Sequence, residues 1–328
     1  MRREEQTLQD NVSLDIEKLN IQYMTRSRSV HAVKDFDLEL RYDECVGLLG
    51  ESGAGKSTVG WAILGMITKP NIATGRIMVD RENVLQMNDS ELRAYRWNKA
   101  AMIFQASMNT LDPVNTVGAS FVDLLKSKKI TPNKNEARQI ACETLELVEL
   151  DPSLVDAYPH QLSGGMKERV AIAMAISTNP TILVADEPTT ALDTITQSSI
   201  LKLIKMLRKE AKIQSVVFIS HDIAVHALMT DRIIVMFRGR QIEEGRTKDI
   251  LTNPLHPYTK LLISSIRIGG KKEQAVSKED GVPAGFGSES CPYVPFCPYA
   301  MKVCSEKFPE TVVASEAHKV SCYLYGGE

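Results

Sequence analysis

No stretch of the 328 residues approaches the roughly 18 to 20 consecutive apolar residues that span a bilayer. The opening thirteen, polar and charged, hold no hydrophobic segment resembling a signal peptide. Membrane attachment is therefore expected only through a partner. Nor does charge of one sign prevail. Lys and Arg number 39 against 41 Asp and Glu, which leaves no global basic field to hold a nucleic-acid backbone or an anionic bilayer. Cysteine is scarce, six in all, and Cys291, Cys297, Cys304 and Cys322 fall near the C-terminus while Cys45 and Cys142 stand alone. In an unexported chain such a cluster points to metal ligation more than to stable disulfides. What is present in quantity is apolar content, 43%, enough for a large core over a length that suits about two domains.

Short β-branched runs alternate with longer helical patterns through the first two thirds, which predicts an α/β fold on a largely parallel sheet. The expected strands are 46–49, 101–104, 181–185, 215–219 and 232–236, apolar on both faces as buried parallel strands are. The interval 106–178 has little strand signal and carries helical patterns at 135–149 and 166–177, as expected of an inserted helical subdomain. Arg238-Gly239-Arg240 and then Glu244-Gly245 predict a small hairpin closing a main domain over residues 1–262. Gly269 to Glu273 reads as a polar linker within an extension, 263–328, where Pro, Gly and Cys rise and ligation substitutes for a hydrophobic core. No internal repeat is present.

Gly50-Glu51-Ser52-Gly53-Ala54-Gly55-Lys56-Ser57, running on through Thr58, matches the P-loop pattern in the required context, after a strand and before a helix. Its glycines let successive N–H groups and the helix N-terminus face phosphate, Lys56 adds a cation near the β and γ groups, and Ser57 ligates magnesium. A glycine-rich turn that binds nothing leaves Lys56 and Ser57 together unexplained. The apolar run 181–185 ends in Asp186-Glu187-Pro188, which suits the second half of such a site. Asp186 is assigned to the magnesium shell, leaving Glu187 to polarise the attacking water.

Between these halves lies Leu162-Ser163-Gly164-Gly165-Met166, followed by Lys167-Glu168-Arg169 and an apolar helix. It resembles the signature motif that distinguishes ABC ATPases from other P-loop proteins, with Ser163 capping the helix and Gly164 and Gly165 presenting bare backbone to a phosphate. The order of elements strengthens the resemblance: Tyr23, the P-loop, Gln105 after an apolar strand, the signature, the acidic strand, Ala191-Leu192-Asp193, then His221 after another strand. The resemblance implies a P-loop NTPase, RecA-like core. It further implies that Tyr23 stacks on adenine, Gln105 senses magnesium and the membrane partner, Asp193 lies at a dimer seam and His221 contacts the γ-phosphate. Taken singly, Tyr23 also reads as a core aromatic, Gln105 as a surface amide and His221 as a helix cap. In this family each ATP site is composite, so a second ATPase subunit, a paralogue or a second copy, is implied. Glu168 departs from the Gln expected there.

Two features narrow the branch. Asn253-Pro254-Leu255-His256-Pro257-Tyr258-Thr259 resembles the stretch that follows the ATPase domain in dipeptide, oligopeptide and nickel importers, and Met166, where many ABC ATPases carry Gln, suits the same branch. The tail cysteines, separated by five, six and seventeen residues, resemble the four-cysteine terminus associated with an iron–sulfur cluster in these ATPases. Four thiolates suit a [4Fe–4S] cluster, tetrahedral zinc accepts the same set, and unligated thiols in a mobile tail are the plain alternative. The branch implies an importer at the cytoplasmic face of the cell membrane, with two membrane-spanning permease subunits and an extracytoplasmic solute-binding protein. Its cargo is di- or oligopeptides, nickel or oligosaccharides. A rival is a soluble ABC-type ATPase acting on nucleic acid or ribosomes, although near-neutral charge gives no phosphate-tracking surface. An iron–sulfur enzyme with ATP-driven electron transfer ranks below both.

Overall fold

The computed structural model describes residues 11–25, 29–105, 110–190, 192–210, 212–267 and 289–326. The linker read at Gly269 to Glu273 lies outside the described residues. In chain order the elements are β1 (Val12–Met24), β2 (Ser29–Arg41), β3 (Cys45–Leu49), α1 (Lys56–Ile63), β4 (Ile72–Val79), β5 (Glu82–Asn83), α2 (Asp89–Asn98) and β6 (Ala100–Ile103). Next come α3 (Val117–Ser127), α4 (Lys134–Leu147), α5 (Gly164–Ile176), β7 (Ile182–Asp186), α6 (Thr194–Lys209), β8 (Ser215–Ser220) and α7 (Ile223–Met229). The chain closes with β9 (Arg232–Phe237), β10 (Arg240–Arg246), α8 (Thr247–Thr252), α9 (Pro257–Arg267), α10 (Lys302–Glu306), β11 (Val312–Ser315) and β12 (His318–Val320).

The main sheet has the order β11-β12-β10-β9-β3-β8-β7-β6. Its five strands from β9 to β6 run parallel, and β3, β7 and β8 are buried at every position, which is why they read as unbroken apolar runs. All five expected strands are present, with ends that differ by a residue or two. The hairpin of β9 and β10 turns at Arg238-Gly239, but Glu244-Gly245 is not a turn. Both residues lie inside β10, paired with Ile234 and Ile233. Between β6 and β7 the described chain is helical, and Phe121, Leu145 and Val170 of α3, α4 and α5 pack into one core with the underside of the main sheet.

A second sheet, β2-β1-β4-β5, is antiparallel and has no counterpart among the expected strands. In β1 the buried positions Leu14, Ile16, Leu19 and Ile21 are spaced two, three, two, because the pairing slips between Ile16 and Leu19 where Lys18 takes φ +45. The extra residue breaks the period of two that betrays a half-buried strand. At the other end, β12 pairs antiparallel with β10, so the cysteine-bearing tail extends the main sheet.

Candidate nucleotide site

The phosphate loop leaves the C-terminal end of β3, flanked by the parallel strands β9 and β8, on the side of the sheet where α/β folds place their ligands. Its shape needs glycine. Gly55 caps α1 with φ +99, and a Cβ there would lie 2.5 Å from the Ala32 carbonyl of β2. At Gly50 a Cβ would lie 2.3 Å from the Met236 carbonyl of β9. The loop is thus enclosed by backbone from both sheets. Lys56 is buried, and its ammonium donates to the carbonyls of Gly50 at 2.8 Å and Glu51 at 2.9 Å. Burial lowers its pKa, a shift only partly offset by the carboxylates of Glu187, Asp186 and Glu51.

Ser57 donates its hydroxyl to Asp186 at 3.0 Å, joining the start of α1 to the end of β7. Burial raises the Asp186 pKa, assisted by the neighbouring charge of Glu187 and opposed by Ser57 and Lys56. Glu187 follows in a left-handed backbone, φ +45, which is uncommon for a side chain of its size. That turn aims its carboxylate at three partners. Nδ1 of His221 stands 2.9 Å from Oε1, the Thr190 hydroxyl donates to Oε2 at 3.0 Å, and the Gln105 amide reaches Oε2 at 3.5 Å. Burial pushes the Glu187 pKa up, but the bonds from His221 and Thr190 and the charge of Lys56 together hold it below the usual carboxylate range. The group is therefore ionised at neutral pH and positioned to receive a proton.

Lys56, Ser57, Gln105, Asp186, Glu187 and His221, the first and last 165 positions apart in sequence, thus meet through direct bonds or charge. Other expected residues stand apart from them. Ser163 caps α5 by accepting the Met166 N–H at 3.3 Å. Asp193 caps α6 by accepting from the N–H groups of Ile195 and Thr196, both at 3.1 Å. The two helices touch, since a Cβ on Gly165 would lie 2.7 Å from the Thr196 methyl. Tyr23 lies half-buried on β1 opposite Val30, and its hydroxyl is buried with no hydrogen-bond partner among the described residues.

Sequence reasoning missed several contributors. Thr190 was legible in principle, as a hydroxyl three residues after Glu187 in a turn. His226 was not. It is fully buried, Nε2 lies 3.1 Å from the Ser220 carbonyl just before His221, and burial lowers its pKa to about 4. It thus buttresses the strand end that carries His221.

At the tail, Cys291 and Cys304 are buried and Cys297 and Cys322 half-buried. Burial raises the Cys291 pKa to about 11 against a backbone bond from Tyr293 that lowers it, with the thiols of Cys304, Cys322 and Cys297 adding to the rise; the Cys291 N–H donates to the Cys304 carbonyl at 2.9 Å. Burial likewise raises Cys297 and Cys322. The expected metal site of four cysteines, for a [4Fe–4S] cluster or zinc, is not borne out by the geometry. Among the described residues no three His, Cys, Asp or Glu side chains are drawn together closely enough to hold one. Tetrahedral zinc, with Zn–S near 2.3 Å, requires sulfurs only about 3.8 Å apart.

Comparison with known proteins agrees with this geometry. The family model described as ABC transporter matches residues 33–190, and that described as oligopeptide/dipeptide transporter, C-terminal region, matches residues 242–304. The chain is 37% identical to the dipeptide transport ATP-binding protein DppD of Bacillus subtilis over 95% of its own length and 94% of that protein. It is 33% identical to the oligopeptide transport ATP-binding protein OppD of Salmonella typhimurium, covering 91% of this chain and 90% of that one. Among solved structures, the ATP-binding cassette MJ0796, a dimer in a post-hydrolysis state bound to ADP and Pi, superposes with a TM-score of 0.62. The sequence identity is 31%, over 71% of this chain and 98% of that one. With a phosphate loop, an acidic strand end and relatives of this extent, the chain belongs to the ABC transporter family, in the branch that carries the oligopeptide/dipeptide transporter C-terminal region.

Proposed function

We propose that this chain is the ATP-hydrolysing subunit of an importer for di- or oligopeptides, held at the cytoplasmic face of the cell membrane by two membrane-spanning permease subunits and served by an extracytoplasmic solute-binding protein. One observation carries the reading. The ionised Glu187 carboxylate is fixed by His221, Thr190 and Gln105 directly beside the Ser57 and Asp186 pair and the Lys56 cradle. Residues 50–58 bind the triphosphate, Glu187 takes the proton of the attacking water, and His221 holds Glu187 in place and meets the γ-phosphate. Ser57 and Asp186 offer hard oxygen donors suited to magnesium, with Gln105 beside them; when bound with ATP, the ion neutralises phosphate charge. Tyr23 receives the adenine.

Among the described residues, the side chains of Ser163 and Asp193 bond within their own helix starts rather than to this group, which fits service of Ser163, Gly164, Gly165 and Asp193 to the phosphate site of a second ATPase subunit, a paralogue or another copy. Residues 1–262 form the nucleotide-binding part, with its helical portion at about 106–178, and 263–328 the extension. Among the described residues no helix is long and apolar enough to cross a membrane, in keeping with attachment through partners. For the tail we favour a [4Fe–4S] cluster held by Cys291, Cys297, Cys304 and Cys322 over zinc, because the four cysteines include no close C-x₂₋₄-C pair of the zinc-knuckle kind.

The test is affinity purification of the tagged chain from its own cells, followed by Mg-ATP titration. Two copurifying membrane-spanning subunits and magnesium-dependent ATP binding are expected. No such affinity, alone or beside the partners, overturns the reading. Anaerobically purified protein should show visible charge-transfer absorption and acid-labile sulfide; colourless protein with stoichiometric zinc overturns the cluster.

A further inference from the structure

The far end of the chain reaches back to grip the phosphate loop. Gly239, in the turn between β9 and β10, donates its N–H to the Ala54 carbonyl at 2.9 Å. The Tyr258 hydroxyl, 207 positions away in sequence, accepts the N–H of Glu51 at 3.2 Å. That N–H and the Gly50 carbonyl belong to one peptide group, and the same carbonyl receives the Lys56 ammonium at 2.8 Å. One peptide plane is therefore held at its N–H by Tyr258 and at its oxygen by Lys56. Its tilt sets where the ammonium stands.

Tyr258 is itself held from the tail side. It is fully buried, and α9 places it through a cap in which His256 Nδ1 accepts the Tyr258 N–H at 3.0 Å, with Pro257 at the first helical position. The buried Glu243 carboxylate fixes the preceding turn, accepting the N–H groups of Leu255 at 2.7 Å and His256 at 2.8 Å, and it also meets His318 of β12 at 2.8 Å. The Tyr258 ring lies 4.6 Å from Phe237 and 5.5 Å from Tyr293, two residues beyond Cys291. Tyr293 also stands edge-on to Phe237 at 5.4 Å. Leu49, the last residue before the phosphate loop, belongs to the same buried cluster as Tyr258, Cys291, Tyr293 and Cys304.

We propose that Tyr258 is a positioning residue for the phosphate-binding loop, and that the seating of Tyr293 in the cysteine-bearing tail sets affinity for Mg-ATP through it. The packing gives the tail a direct route to the nucleotide motifs. The inference rests on the nucleotide site proposed above.

Its test is a cycle of Tyr258→Phe, Tyr293→Leu and the double variant in the full chain, read as the Kd for Mg-ATP. Losing one buried hydrogen bond predicts affinity weaker by about three- to tenfold in Tyr258→Phe. Tyr293→Leu should weaken binding in the wild-type background and add nothing in the Tyr258→Phe background. A merely structural role would lower melting temperature in both backgrounds and leave the effects on Kd additive. Hydrogen exchange in the unaltered protein gives a readout independent of any variant's folding, with the Glu51 amide expected to exchange slowly. Wild-type affinity in Tyr258→Phe, an undiminished Tyr293→Leu effect in its presence, or an unprotected Glu51 amide overturns the inference. Failure of the wild type to bind ATP overturns instead the nucleotide site on which it rests.

Discussion

Replacing Glu187 by Gln isolates the charge of the side chain from its shape. The carboxylate has His221 on one oxygen and Thr190 with Gln105 on the other. A glutamine of equal length can turn its oxygen to His221 and its amide nitrogen to Thr190, whose hydroxyl then accepts instead of donating, while the Gln105 amide flips to present its oxygen. The geometry survives and the proton acceptor is lost. A missing general base lowers turnover by on the order of 10² to 10⁴, or about 2.7 to 5.4 kcal/mol of barrier at 1.36 kcal/mol per tenfold. Mg-ATP affinity should stay within about twofold of wild type, since Lys56 and Ser57 are untouched. Steady-state phosphate release and equilibrium titration on the same preparation separate the two quantities. Because the Glu187 pKa lies below the ordinary carboxylate range, the acid limb it contributes to hydrolysis should also fall below that range. Unchanged turnover in Glu187→Gln, or lost affinity with turnover per bound ATP intact, refutes the assignment.

Three further outcomes are expected. Gly55→Ala must place a side chain at φ +99 with its Cβ 2.5 Å from the Ala32 carbonyl, so the ligand-free protein should lose roughly 1 to 3 kcal/mol or more, read as a lower urea midpoint; an unaltered midpoint contradicts it. Arg232, at the start of β9, binds the carboxylates of Glu44 and Glu244, all three largely shielded, and Arg232→Met should cost about 3 to 5 kcal/mol, restored in part by Gln at both acids. His256 and His226 are both held neutral by burial, with pKa values lowered to about 4 from an unfolded value near 6.5. Their contribution is present above pH 6.5 and is lost as pH falls toward 4, on the order of 3 kcal/mol each. His256→Asn keeps a cap acceptor that does not titrate, so melting temperature should fall less steeply over that window; an identical slope rules out His256 as its source.

The site was legible where chemistry is local and the fold where burial is uniform. The phosphate loop, Asp186 and Glu187 announce themselves because glycine conformation, cation and carboxylate must sit at fixed offsets from a strand. β3, β7 and β8 read directly from unbroken apolar runs. The antiparallel sheet escaped because irregularities at Lys18 and Asp35, both with positive φ, shift the parity of β1 and β2 midway. β12 escaped because three residues carry no periodicity. Tyr258 lay in a segment singled out for its resemblance, yet its bond to Glu51 spans 207 positions, and no spacing rule reaches that far. The tail's cysteines were singled out by their spacing, but spacing does not say whether the thiols come within reach of a common metal, and among the described residues no such group is found.

The pairing of β12 with β10 has a consequence for synthesis. A ribosome releases the phosphate loop early, but the outer neighbour of β10 and the imidazole that meets Glu243 emerge only with residues 318–320. A polypeptide halted within the tail therefore exposes a raw strand margin and a half-answered interior acid. Such a fragment should be cleaved by proteases faster than the full-length chain.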